Sequence, residues 1–159
     1  MNQPNDPIRA IIHWFELAKP NPTIKNIFTQ LGCHFEEISE MVQAFDSDAG
    51  ELHQILTEVA DELKTVDVVA HSDRVNEQLS KIDRVEMLDA LCDQVVTAIG
   101  TGYDMGFDMY GAINEVIRSN YSKFENGQPI FDTNGKIQKG KDYSKPDLTP
   151  FVGDWKSNK

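Results

Sequence analysis

Between Ile27 and Phe45, apolar residues recur in steps of four and three: Ile27, Leu31, Phe35, Ile38, Val42 and Phe45. Only an α-helix puts such a series on one face, because its side chains advance about 100° per residue. A half-buried strand would need strict alternation instead. Thr23 is placed to cap this helix. Four other segments keep the same rhythm. Ile8, Ile11, Ile12, Phe15 and Ala18 predict a first helix, with Pro7 suited to its start. Leu52, Ile55, Leu56, Val59, Leu63, Val66 and Val69 predict a third, with Asp48 and Glu51 as a capping box. Val85, Leu88, Cys92, Val95 and Ile99 predict a fourth, starting near Lys81. Ile113, Val116 and Ile117 predict a fifth, capped by Asp108.

The breaks are equally plain. Lys19-Pro20-Asn21-Pro22 separates the first two helices, and Asp46-Ser47-Asp48 ends the second. Ser72–Ser80 is polar and reads as a linker or frayed turn. Gly100, Gly102 and Gly106 suit a bend or a close helix approach. After Asn120 the periodicity stops. Asn126-Gly127 and Asn134-Gly135 are turn signals, and Ile130-Phe131 with Lys136-Ile137 make the second a candidate hairpin. Residues 144–159 read as an extended tail. The expected fold class is all-α: a bundle of about five helices with a short irregular C-terminal arm. One domain covers 1–159, with its core at 7–124 and the arm at 125–159. The stripes are broader than an antiparallel pair can bury, so a four-helix core completed by oligomerisation fits.

Charge narrows the function. The chain carries a net charge of -11 from 26 acids and 15 bases. Nonspecific duplex binding runs on Lys and Arg, so duplex nucleic acid is an unexpected partner. A nucleotide is not excluded, because a metal ion inverts the sign of a local site. The acid is uneven: residues 1–117 hold -14, and residues 118–145 hold +3. No apolar run reaches the ~18 residues of a membrane span. The acidic, proline-bearing start MNQPNDPIRA is unlike a signal peptide. A cytoplasmic protein without membrane attachment is expected. Cys33 and Cys92 form no paired motif and read as reduced, semi-buried thiols.

On the second helix, with Ile38 as stripe centre, Glu37 falls roughly 100° round and Glu40 roughly 160°, with Glu36 nearby. On the fourth, centred on Leu88, Asp89, Asp93 and Glu86 fall at roughly 100°, 140° and 160°. Like charges at this spacing repel by a few tenths of a kcal/mol per pair. Packing the two apolar stripes together would bring both acidic edges to one cleft. Oxygen-only ligands select hard cations, Mg²⁺ first and Mn²⁺ second. Such a site suits phosphate chemistry. The plain alternative is two solvated faces of acidic helices. Other sites fit poorly. None of His13, His34, His53 and His71 follows an acid by three residues, as a di-iron bundle needs. There is no zinc spacing, and the glycines around Gly100 lack the Gly-Lys-Ser/Thr ending of a phosphate loop.

Phe35-Glu36-Glu37-Ile38-Ser39-Glu40-Met41 resembles the EExxE signature of MazG-like, all-α nucleotide pyrophosphohydrolases. Glu86-Met-Leu-Asp89-Ala-Leu-Cys-Asp93 resembles their second acidic motif, ExxD. The segment from Ile113 to Phe124 resembles the one that follows it. The stretch Gly135 to Pro146 looks like the tail of a phage-type subgroup related to phosphoribosyl-ATP pyrophosphohydrolase. The matches span roughly residues 24 to 148. The resemblance implies Glu37 and Glu40 as magnesium ligands, with Glu36 a ligand or a base orienting water. It implies further ligands among Glu86, Asp89 and Asp93. Asn120 and Lys123 would contact phosphate, assisted by Lys136 or Lys139. It also implies a homodimer or homotetramer, with helices of two subunits framing each cleft. The activity would split a (d)NTP into (d)NMP and pyrophosphate by attack of a metal-activated water. Phosphoribosyl-ATP or a deoxyuridine nucleotide are the alternative substrates. Trp14, Phe15, Tyr103 and Tyr121 are candidates to stack on a base. A non-enzymatic acidic dimer that regulates, or mimics nucleic acid, is the remaining alternative. One departure stands out: about 45 residues separate Glu40 from Glu86, more than the family's usual spacing.

Overall fold

The computed structural model describes residues 4–131 and 137–153. Among these the protein is all-α, with six helices and no strand: α1 Pro7–Ala18, α2 Ile24–Phe45, α3 Gly50–Thr65, α4 Ser72–Ser80, α5 Arg84–Asp104 and α6 Met109–Tyr121. A short 3-10 turn follows at Thr149–Phe151. No helix of the described residues is long and apolar enough to cross a membrane. The contacts gather into two compact units: Asn21–Ile82, and Met1–Pro20 with Asp83–Lys159.

In the first of these, α2 and α3 form an antiparallel hairpin. Thr23 and Asn26 cap α2 reciprocally, each side chain taking the other's backbone N–H. The antiparallel register follows from three contacts. The Ser39 hydroxyl meets His53, Gly32 meets Ala60, and Lys25 Nζ donates to the carbonyls of Lys64 (2.7 Å) and Val66 (2.8 Å). Gly32 fixes how near the helices come. A Cβ there would lie 2.6 Å from the Ala60 carbonyl oxygen and 2.6 Å from Lys64 Cγ. The buried line on α2 is Phe28, Gly32 and Ser39, with Phe35 half-buried between them. The expected stripe centred on Ile38 is therefore turned by about one residue. Ile27 and Met41 stay half-exposed, and Phe45 is 85% exposed.

Three sequence expectations are corrected in this unit. The third helix starts at Gly50 with Ala49 as N-cap, and no side chain caps it. Asp46 explains why: its carboxylate takes the Asp48 N–H at 2.9 Å, a local turn that competes with a cap at Asp48. The helix stops at Thr65, so Val66 and Val69 lie beyond it. Ser72–Ser80 is a helix, not a linker. Arg, Glu, Gln and Leu are good helix formers, and burying Val75 fixes one face of an otherwise polar segment.

In the other unit, Asp6 caps α1 by taking the Arg9 N–H at 2.8 Å. Asp83 caps α5 through the N–H groups of Val85 and Glu86, so this helix begins at Arg84 rather than near Lys81. Asp108 caps α6 as expected. The α5 end is a Schellman turn. Phe107 N–H reaches the Gly102 carbonyl (2.9 Å) and Gly106 N–H the Tyr103 carbonyl (3.0 Å). Gly106 supplies the left-handed residue this turn needs, at φ 79°. Asn126 and Gly127, at φ 51° and 77°, form a tight turn closed by two bonds between Glu125 and Gln128. Phe131 and Ile137 form one antiparallel bridge where a hairpin was expected. The Asn134-Gly135 turn itself lies outside the described residues. The arm from Gly140 to Phe151 runs along α6, bonded at Lys123, Glu125, Ser122, Glu115 and Asp108.

Candidate functional site

Glu36, Glu37 and Glu40 share the outer side of α2, within about one helical turn. Glu36 pairs with Lys64 of α3 at 3.0 Å, and Lys64 also reaches Asp61 at 3.6 Å. The Glu36 hydrogen bond, with its charge and that of Asp61, raises the Lys64 ammonium above its ordinary value against some opposing burial. Lys64 therefore stays charged. Glu37 and Glu40 are exposed.

Directly beside Glu40, Ser39 is only 2% exposed. Its hydroxyl lies 2.7 Å from His53 Nδ1, 3.0 Å from the His53 carbonyl and 3.0 Å from the Thr57 hydroxyl. The Ser39 carbonyl also lies 3.3 Å from His53 Nδ1, which favours a proton on that nitrogen. This buried knot fixes the rotation of α2 against α3, and so the direction in which Glu36 and Glu40 leave the helix. Sequence reasoning passed over it. The available signal was a hydroxyl in line with Phe28, Gly32 and Phe35.

The second acidic set lies in the other unit. Glu86, Asp89 and Asp93 are all exposed on α5, and so is nearly every residue of that helix. Val85 is 76% exposed and Leu88 62%. Glu86 is in the first turn, where a carboxylate suits the helix dipole. Glu40, Glu86, Asp89 and Asp93 have no ion-pair partner among the described residues. Among those residues neither unit on its own gathers three or more His, Cys, Asp or Glu side chains in metal-holding range.

The expected phosphate contacts divide. Asn120 and Lys123 come together at the end of α6: Lys123 Nζ donates to Asn120 Oδ1 at 2.8 Å and sits 5.9 Å from the centre of the Trp14 ring. Trp14 Nε1 donates to the Asn120 carbonyl at 3.0 Å. Lys139 lies on the arm, 4.8 Å from the centre of the Tyr143 ring. Lys136 lies outside the described residues. Of the stacking candidates, Trp14 is committed to Phe124 (5.6 Å, 12°) and Phe15 (5.0 Å, 88°). Tyr121 donates to the Ala10 carbonyl at 2.9 Å and contacts His13 Nδ1 at 2.7 Å. Burial, with the nearby Glu16 charge, raises its phenol above the ordinary value. Trp14 and Tyr121 tie α1 to the end of α6, and Phe15 packs on Trp14. Tyr103 alone of the four is open, at 80% exposure. Cys33 is half-buried and Cys92 exposed, both free.

A 550 Å³ cavity opens between Phe28 of α2, the end of α3 and α4. Its walls include Val59, Leu63, Val66, Val75 and His71. Asp67 closes the α3–α4 corner. Its carboxylate takes the N–H groups of Ala70 (2.9 Å) and Val69 (3.0 Å), which hold it below the usual carboxylate value.

The fold defines an all-helical protein whose long capped helices carry acidic edges. No family model, no curated protein and no solved structure matches the chain.

Proposed function

We propose that the chain is a magnesium-dependent nucleoside triphosphate pyrophosphohydrolase. One observation carries the reading. Among the described residues, Glu40 on α2 and Glu86, Asp89 and Asp93 on α5 are exposed carboxylates without an ion-pair partner, while Glu36 and Glu115 are paired with bases. Uncompensated like charges at helical spacing are unfavourable, so the run of three on α5 suits a bound cation.

The donor set fits that ion, since carboxylate oxygens are hard ligands. The candidate ligands are Glu37 and Glu40 on α2 and, on the separate α5 edge, Glu86, Asp89 and Asp93. Bound there, magnesium would neutralise phosphate charge and lower the pKa of a coordinated water. The protein's own part is positioning. Lys64 holds Glu36 in place, where its carboxylate would accept a hydrogen bond from a water and orient it. The Ser39 knot aims the α2 edge. Asn120 holds Lys123, whose ammonium would meet a phosphate oxygen.

The chain would act as a cytoplasmic homodimer or homotetramer. The open apolar side chains of α5, among them Val85, Leu88 and Val96, support assembly through that helix. A panel of nucleoside triphosphates assayed for pyrophosphate tests the activity. Release should need Mg²⁺ and should disappear in Glu40→Gln. Equal release by Glu40→Gln, or none from any nucleotide, would overturn the proposal.

A further inference from the structure

We propose that the cavity at the α3–α4 corner is a nucleobase pocket with a preference for guanine. The 550 Å³ volume falls in the range of small-molecule sites, roughly 300–1,000 Å³. Its lining is mixed. Phe28, Leu63 and Val75 offer apolar surface, Glu62, Arg74 and Gln78 offer polar groups, and Thr65, Asp67 and His71 complete the polar side, with the Asp67 carboxylate already taken by backbone N–H groups. Neither the Arg74 guanidinium nor the Glu62 carboxylate has an ion-pair partner among the described residues. Both sit at exposed positions beside the cavity, so a purely apolar ligand would leave them to water and gain nothing from them. A simple anion would be met by Glu62 as well as Arg74.

A planar ring with apolar faces and a mixed polar edge satisfies both. Guanine matches best. Its O6 and N7 accept a forked pair of bonds from an arginine. Its N1–H and exocyclic amine donate, and a carboxylate accepts two such bonds. Adenine lacks the N1–H and offers an amine where guanine offers O6.

The pocket adjoins the proposed catalytic edge within one unit. Leu63 and Thr65 line it and flank Lys64, the partner of Glu36. Phe28 precedes Glu36 by eight residues, roughly 12 Å along the helix at 1.5 Å per residue. Assigning the pocket to the substrate's own base rests on the pyrophosphohydrolase reading; binding of the base does not.

The test uses the full chain, titrated calorimetrically with guanosine in the presence of a chelator, so that neither metal nor phosphate contributes. Guanosine should bind at least tenfold more tightly than adenosine. Glu62→Gln and Arg74→Ala, both at exposed positions, should each weaken it at least tenfold with an unchanged circular dichroism spectrum. Arg74→Lys keeps the charge without the fork and should weaken it too. Guanosine binding in a chain that releases no pyrophosphate from any nucleotide would support the pocket while the hydrolase reading fails. Absence of guanosine binding would overturn it, whatever the activity. So would binding of guanosine monophosphate without guanosine, or affinities indifferent to both substitutions.

Discussion

Glu36 and Glu40 stand one turn apart on α2, yet their surroundings separate their roles. Glu36 has Lys64 at 3.0 Å, and the pair is half-open to water. Exposed pairs contribute about 0–1 kcal/mol. Glu36→Gln should therefore shift the melting temperature by no more than a few degrees while lowering pyrophosphate release. Ser39 is the opposite case. It is uncharged but buried, and Ser39→Ala removes a hydroxyl bonded to the His53 ring, the His53 carbonyl and the Thr57 hydroxyl. The Thr57 hydroxyl keeps its bond to the His53 carbonyl, so the loss is that of buried hydrogen bonds at about 0.5–1.5 kcal/mol each, and thermal unfolding should register Ser39→Ala more strongly than Glu36→Gln. The reverse order would show that the surface pair, not the buried knot, secures the hairpin. The acids were legible in the sequence because helical spacing alone places them on an edge. Their partners were not. Lys64 meets Glu36, and His53 meets Ser39, only through a register set by the turn at 46–49 and the close approach at Gly32.

At the scale of elements, strong stripes read well and weak ones did not. α1 begins at the expected Pro7, though its cap is Asp6, and α2 and α6 begin beside the expected caps Thr23 and Asp108. α4 was missed because a polar nine-residue segment has no stripe of its own, and burial of Val75 decides it. The cap of α3 was missed because Asp46 takes the bond that Asp48 needed. The hairpin of α2 and α3 makes a sharp prediction. Gly32→Ala would push a methyl group against the Ala60 carbonyl and the Lys64 stem. Overpacking of this kind costs about 1–3 kcal/mol, so chemical denaturation should show a lower midpoint. An unchanged midpoint would mean the helices can separate without penalty.

The arm against α6 predicts a pH response. The Arg118 hydrogen bonds first, and then the Asp147 N–H, pull Glu115 from 4.5 down to about 2. A depressed carboxylate contributes stability above its unfolded value and loses it as pH falls through the folded one. The tether at Asp147 should thus weaken between about pH 4.5 and 2. Pepsin cleavage of the arm should accelerate across that window, and Glu115→Gln should cut equally fast throughout. An arm resisting cleavage down to pH 2 would contradict this.

On the scale of the whole molecule, the two acidic motifs belong to different compact units, one built on α2 and one on α5. The all-α class was readable from periodicity. The division was not, since stripes report which faces are apolar and not which helices meet them. Leu88 is 62% exposed in the single chain, and replacing it by Glu should lower the mass seen by sedimentation if α5 assembles with another copy. A mass unaffected by Leu88→Glu would place any assembly elsewhere. The most direct test of the central claim is magnesium titration of pyrophosphate release by the intact chain, alongside Asp93→Asn and Glu40→Gln. Saturable, Mg²⁺-dependent release that either substitution abolishes, with melting temperature unchanged, is the predicted result. Release that persists in both variants would show that these carboxylates hold no catalytic metal.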